Sequence, residues 1–277
     1  MKNVVLFAAL MMLPLCISAQ NDVSSELKVM SYNIRYGDAK DGTNSWPMRC
    51  TATLDMVNDQ QPDVFGVQEA LDFQVLFIDE NMRDYECVGV GRDNGKKKGE
   101  HMSIFWNKKT VSMLKWGTFW LSETPEEPSM GWDAECFRTA TWALMKDKAT
   151  KRKFYFINTH LDHVGKEARR KGLELILGRI NEMNPDFYPV VLVGDFNMEI
   201  SDPAMRVLDE DMQNVRKTAA TTDAHDTFNG WGRGKGVIDH IYVSGFSEYP
   251  EYYTVTKRYA DRKFISDHYP VCARLIF

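Results

Sequence analysis

Apolar residues recur along this chain with two periods, and the period assigns most of its elements. Alternation of apolar and polar positions predicts strands over 27–34, 63–69, 85–90, 102–106, 111–120, 138–145, 153–159, 237–243, 253–258 and 271–276. The run Val190-Val191-Leu192-Val193 is apolar throughout and mostly β-branched, so it reads as a strand covered on both faces. Spacings of three and four predict helices over 49–61, 73–82 and 165–183. The second should pack Leu76 and Phe77 inward, and the third Leu173, Ile176, Leu177 and Ile180. Ser201-Asp202-Pro203 is an N-cap with proline in the first turn, predicting a further helix to about 211. Strands alternate with helices early and follow one another directly in the middle, which suits an α/β chain.

Gly194 breaks the continuous apolar run, and Asp195 and Asn197 follow at the strand's C-terminal edge. Two residues apart, their side chains share one side. A carboxylate beside a carboxamide at the mouth of a buried strand offers hard oxygen ligands and hydrogen-bond donors together, as divalent-metal phosphate chemistry requires. A strand followed by an Asx turn has the same composition, so this stretch alone leaves both readings open. The same punctuation recurs, because strands also end at Asn33, at Gln68-Glu69, at Asn158 and His160, at Asp239 and at Asp267-His268. A charge directly after a buried apolar strand, as at Glu69, is not the usual surface glutamate.

In order, the motifs are Met30-Ser31-Tyr32-Asn33-Ile34-Arg35, Gln68-Glu69, Asn158-Thr159-His160-Leu161, Gly194-Asp195-Phe196-Asn197, Ile238-Asp239-His240-Ile241 and Ser266-Asp267-His268-Tyr269-Pro270. This set resembles the endonuclease/exonuclease/phosphatase superfamily, which includes pancreatic-type deoxyribonucleases, apurinic-site endonucleases, neutral sphingomyelinases, inositol polyphosphate 5-phosphatases and deadenylases. The resemblance implies a four-layer α/β sandwich, two packed mixed β-sheets flanked by helices, with the site at one end. It implies a metal-dependent phosphoric ester hydrolase in which Glu69 holds Mg²⁺, or Mn²⁺, helped by Asn33 or Asp267. It further implies His268 as the acid/base group with Asp239 fixing its tautomer, and Asp195 orienting or deprotonating the attacking water. Asn197 and His160 would then donate hydrogen bonds to the phosphoryl oxygens, and Glu100 stands where family members carry an acid that orients a histidine. Arg35 can grip a phosphate through its fork or pair with a neighbouring carboxylate, and Asp162 and His163 follow His160 as supporting groups. The substrate expected is a phosphate ester, whether a small molecule, a lipid headgroup or an extended nucleic acid. A non-catalytic binding module on the same scaffold is the alternative from another class, and competent residues at every motif position tell against it.

Composition narrows these readings. No Pro/Gly/Ser-rich linker or repeat divides the 277 residues, so one domain over 21–277 is expected. A formal net charge of −5 argues against tight non-specific binding to a long polyanion. Lys2, an apolar stretch over 4–15 and the exit Ile17-Ser18-Ala19-Gln20 read as a signal peptide over 1–20, hence export to the periplasm or beyond with no transmembrane segment in the mature chain. Cys16 invites a lipid anchor, but Leu15 before it is larger than the small residue such signals carry, so soluble export is preferred. Cys50, Cys87, Cys136 and Cys272 are widely and irregularly spaced, which suits buried free thiols rather than a disulfide framework. The lysine-rich connector 91–100 reads as a solvated hairpin loop, and the long connections 121–138 and 221–236 as functional loops. Trp46, Trp132 and Trp231 fit either an aromatic rim or the core. Nothing in the sequence points to a protein partner.

Overall fold

The structure, a computed structural model, describes residues 26–277. The expected signal peptide and its Cys16 lie outside the described residues. Two six-stranded mixed sheets form the centre. The first runs β11 (Glu248–Thr254), β12 (Val271–Ile276), β1 (Glu26–Asn33), β2 (Val64–Gln68), β4 (Ile104–Asn107) and β3 (Tyr85–Val88). The second runs β5 (Val111–Trp120), β6 (Thr139–Asp147), β7 (Lys153–His160), β8 (Val190–Asp195), β10 (Asp239–Ser244) and β9 (Gln213–Asn214). Only β1 with β2 and β7 with β8 pair in parallel, and the other ladders are antiparallel.

Three apolar layers hold the sandwich together. Leu27, Val29, Val64 and Ile104 of one sheet meet Phe154, Phe156, Val191, Val193 and Ile241 of the other. Met30, Tyr32, Phe65 and Val67 on the first sheet's outer face pack under α1 (Trp46–Gln60) and α2 (Asp72–Asn81). Tyr155, Ile157, Val190 and Leu192 on the second sheet's outer face pack under α3 (Lys166–Met183), completing four layers. A short helix, α4 (Val215–Thr218), follows β9 and lies against β10 and β11, while β9 itself pairs with β10.

The inter-sheet stripe explains where the site forms. Its positions run Leu27, Val29, Ser31, Asn33 on β1 and Val64, Gly66, Gln68 on β2, then Phe154, Phe156, Asn158, His160 on β7 and Val191, Val193, Asp195 on β8. Each of these four strands therefore presents apolar residues at one end of the interface and polar ones at the other. Registers Asn33↔Gln68, His160↔Asp195 and Asp239↔Asp195 bring the polar ends level.

Several elements depart from the pattern-based expectation. In α2 the buried residues are Gln74, Val75 and Ile78, while Leu76 is 41 % exposed. The helix turns that way because Gln74 Oε1 accepts from the Leu71 backbone and its Nε2 donates to the Arg35 carbonyl, fixing the rotation. Phe77 is half-buried and packs edge-on against Trp46, which is itself core rather than rim. The helix predicted from 203 is a 3₁₀ segment, Pro203–Leu208, and stops early. The strand predicted over 253–258 runs instead over Glu248–Thr254, because only that stretch finds a partner in β12 before Pro270. All four described cysteines are free, but only Cys272 is fully buried.

Candidate active site

Three strands that feed the site end in a residue of left-handed backbone. Arg35 (φ 64°), Glu69 (φ 60°) and Asn197 (φ 50°) follow β1, β2 and β8. That conformation costs a non-glycine residue about 1 kcal/mol, and here it swings each chain out of its ladder at the polar end of the interface. Arg49 fixes one of these turns from below. Fully buried on α1, it has no carboxylate partner and donates instead to the carbonyls of Ile34, Arg35, Asn44 and Ile265. The loops carrying Asn33, Arg35 and Asp267 thus share one guanidinium.

Above this floor the predicted residues converge on a cavity of about 450 Å³ lined by Arg35, Glu69, Glu100, His160, Asp195, Asn197, Asp267 and His268 among others. Asp195 is its hub. Oδ1 accepts from the Asn197 backbone at 2.9 Å and Oδ2 from Asn33 Nδ2 at 2.9 Å. The same oxygen lies 3.5 Å from His160 Nε2 and 3.7 Å from His268 Nε2. Burial pushes the Asp195 carboxyl up to about 7, despite the nearby His268.

The two histidines have opposite environments. Asp239 Oδ2 holds His268 Nδ1 at 2.8 Å. Burial alone would lower His268, but Asp239, Asp195 and Asp267 outweigh it and push the imidazole up to about 10. His160 is held well below its ordinary value by burial and by Arg138 and Arg92. It is therefore neutral, and its Nε2 lies 3.0 Å from Asn197 Nδ2. With Nε2 accepting, the proton sits on Nδ1, which faces Glu100 Oε2 at 3.8 Å, and neither atom has another partner. Glu100 is raised by burial, and Arg92 offsets part of that.

Residues expected near the metal divide into two groups. Glu69, His160 and Asp195 present ligand atoms all within 4.8 Å of one another. Asn33 Nδ2 bridges Glu69 Oε1 and Asp195 Oδ2 at 3.0 and 2.9 Å, while its Oδ1 accepts from the Arg35 backbone. Asp267 is 3.4 Å from Arg35 Nη1, which also approaches Glu69 at 3.9 Å and leans on Asp41 through Nε. Arg35 is thus a carboxylate clamp, the second of the two uses its sequence allowed. A buried carboxylate, a half-buried one and a neutral imidazole at this separation, with an otherwise unpartnered carboxylate oxygen on Glu100 beyond the imidazole, fit a hard divalent cation.

Asp162 does not reach the cavity. It accepts from the backbones of Cys136, Val164 and Gly165 and from Arg138 Nε at 3.1 Å, and these contacts outweigh burial and hold it below the usual carboxylate range. Sequence reasoning missed Arg92 and Arg138, which line the cavity. Arg138 stands directly before strand β6, the mirror of the strand-end position that singled out Glu69. Arg92 carries no such signal, because the flanking lysines of its loop are solvated as expected while Arg92 and Glu100 turn inward.

This fold and this convergence of strand ends define a recognisable class, and the sequence profile of the endonuclease/exonuclease/phosphatase family matches residues 30–268. The chain belongs to that family. Among solved structures it is 34% identical to a mannosyl-6-phosphatase of Bacteroides thetaiotaomicron, covering 91% of this chain and 100% of that one with a TM-score of 0.87. It is 35% identical to an endonuclease/exonuclease/phosphatase of Bacteroides vulgatus, covering 91% and 99% with a TM-score of 0.86. D. rerio TDP2 complexed with a single-strand DNA product shares the fold at 16% identity, covering 91% of this chain and 99% of that one with a TM-score of 0.73.

Proposed function

We propose that this chain hydrolyses phosphate esters with the help of Mg²⁺, or Mn²⁺, by direct attack of water and without a covalent intermediate. The observation that carries the reading is the meeting of Glu69, Asp195, His160 and His268, from four separate strand ends or loops, round one cavity. Glu69 would hold the cation with Asp195 alongside, and Asn33 and Asp267 border the same place. Bound there, the cation would neutralise phosphoryl oxygens and stabilise the departing alkoxide.

The chain's own residues supply the rest. Asp195, a carboxyl near neutrality at the cavity wall, orients an attacking water and takes its proton. His268, held cationic by Asp239, donates to the oxygen on which charge accumulates. Asn197 Nδ2 donates to His160 Nε2 and to the Leu161 carbonyl, and together with Glu100 at Nδ1 this holds the His160 ring in its orientation at the cavity wall. The related mannosyl-6-phosphatase supports phosphoester hydrolysis, and the net charge of −5 disfavours a long nucleic acid as substrate. We place the reaction outside the cytoplasm, on the basic, apolar and small-residue succession of segment 1–20.

The test is hydrolysis of 4-nitrophenyl phosphate and bis(4-nitrophenyl) phosphate by purified protein with Mg²⁺. Activity should vanish with a chelator and fall by roughly a thousandfold or more in His268→Ala. Undiminished turnover in that variant would remove His268 from the reaction, and no turnover of any phosphate ester would remove the function.

A further inference from the structure

One part of the cavity lining is not used by the reaction proposed above. Arg138 is only 4% exposed at its side chain, and its Nε is spent on Asp162. Its Nη2 lies 3.0 Å from His163 Nδ1. Its Nη1 is shielded from solvent and meets no acceptor among the described residues. Arg92, with its side chain 11% exposed, repeats the pattern. Nη2 is spent on Glu100 Oε1 at 2.9 Å, and Nη1 is again buried without an acceptor. Both residues line the cavity that holds Glu69, Asp195 and His268.

An unpaired guanidinium nitrogen withdrawn from water is a standing cost, and of the five such nitrogens among the described residues only those of Arg92 and Arg138 belong to residues lining the cavity. Two in one cavity are accounted for if an anion supplies the acceptors. Arg138 is also held in advance of any ligand. Asp162, which grips it, is itself fixed by three backbone N–H groups, and Asp133 of the same loop ties it to the start of α3 through Ala168 N at 2.7 Å. Such a fork loses little freedom on binding.

We propose that Arg92 and Arg138 form an anion subsite that makes this enzyme select dianionic phosphate monoesters over diesters, their free Nη1 groups taking the third terminal oxygen, which a diester lacks. This rests on the reading of the site as a phosphoester hydrolase. Near neutral pH a monoester carries a charge of about −1.5 to −2 and three terminal oxygens. A diester carries one charge and two such oxygens, and brings a second carbon substituent into an arginine-lined wall. Both guanidinium groups already face a carboxylate, so what they add is two charge-assisted N–H donors, and these reward the further terminal oxygen.

The experiment compares the full chain with Arg92→Met, Arg92→Lys and Arg138→Lys in Mg²⁺. Each is assayed with 4-nitrophenyl phosphate and bis(4-nitrophenyl) phosphate, and calorimetry measures the binding of inorganic phosphate. Arg138→Met is avoided because it would also strip Asp162 of its partner. Glu100→Gln, which breaks the Arg92–Glu100 ion pair but keeps Arg92, is the control for Arg92→Met, and the same loss in both variants overturns the subsite. Circular dichroism confirms that each variant is folded. The wild type should prefer the monoester. In Arg92→Met the monoester-to-diester ratio of kcat/KM should fall by roughly thirtyfold or more and phosphate Kd should rise by about tenfold or more, with Arg92→Lys between the two. A ratio that moves less than about threefold in folded Arg92→Met and Arg138→Lys, or phosphate binding that ignores Arg92, overturns the subsite. A wild type that cleaves diesters without preferring monoesters also overturns it, yet leaves phosphoester hydrolysis standing. A wild type that cleaves neither ester but binds phosphate through Arg92 supports the subsite and sinks the hydrolase.

Discussion

Gly66→Ala is the sharpest probe of how the two sheets are locked together beneath the site. A Cβ built on Gly66 would lie 2.5 Å from Asn158 Cγ, 2.7 Å from its Oδ1 and 2.9 Å from its Cβ. Asn158 sits on the opposite sheet and uses that space to cross the interface. Its Nδ2 donates to the carbonyls of Val67 at 2.8 Å and Ser103 at 3.0 Å, and its Oδ1 accepts from Gln68 Nε2 at 2.7 Å. All of this is buried, so no water replaces what is lost. Overpacking of this kind costs about 1–3 kcal/mol. Weakening two or three buried hydrogen bonds adds about 1 kcal/mol each. The expected loss is about 3–6 kcal/mol, a large share of a typical domain's roughly 5–15 kcal/mol. Urea unfolding followed by tryptophan fluorescence measures it, and the same substitution made in Asn158→Ala should cost at least about 1 kcal/mol less, because the clashing amide is gone. Hydrolysis should fall with stability, since Gln68 leads directly into Glu69. If Gly66→Ala unfolds within about 1 kcal/mol of wild type, or the cost is identical with and without the Asn158 side chain, the inter-sheet lock is refuted.

Further outcomes follow from the same structure. Arg49→Met should destabilise by about 3 kcal/mol or more, because it leaves the carbonyls of Ile34, Arg35, Asn44 and Ile265 without their donor, and denaturant titration reads it directly. His240 is fully buried beside the Met198 carbonyl, and burial lowers it from 6.5 to about 4. The unfolded chain then binds more protons between those values, so stability rises with pH across the window and is lost as pH falls through it, by about 3 kcal/mol in all. His240→Gln should flatten that slope in unfolding measured from pH 7 to 4, and an unchanged slope would exclude His240 as its source. Mg²⁺ at about a hundred times its Kd should stabilise the protein by about 2.7 kcal/mol. Glu69→Gln should abolish the accompanying rise in Tm, and a rise that survives it would place the cation elsewhere.

The sequence alone determined most of the strands, including the polar ends of those that feed the site. A period of two is a property of the backbone, so Asp195 following Val193 and Val191, or His160 following Phe156, could be assigned to one face without coordinates. The motif order, with Asn33 first and His268 last, carried the family resemblance and with it the four layers. Helix rotation was legible in α3, where Leu173, Ile176, Leu177 and Ile180 are buried as expected, but not in α2, where the apolar pattern was outweighed by the pair of hydrogen bonds that draws Gln74 under Arg35. Nor was the inward turn of Arg92 and Glu100 out of a lysine-rich loop, which depends on backbone pairing such as Gly91 with Lys96 and His101. The tertiary structure decided as well which acid meets which base. Asp239 grips His268 while Asp195 stands between two histidines, because antiparallel β8 and β10 set Asp195 opposite Asp239 and parallel β7 and β8 set it opposite His160. Composition places charges along a chain, but only strand register and burial decide which of them share a cavity and which proton each one holds.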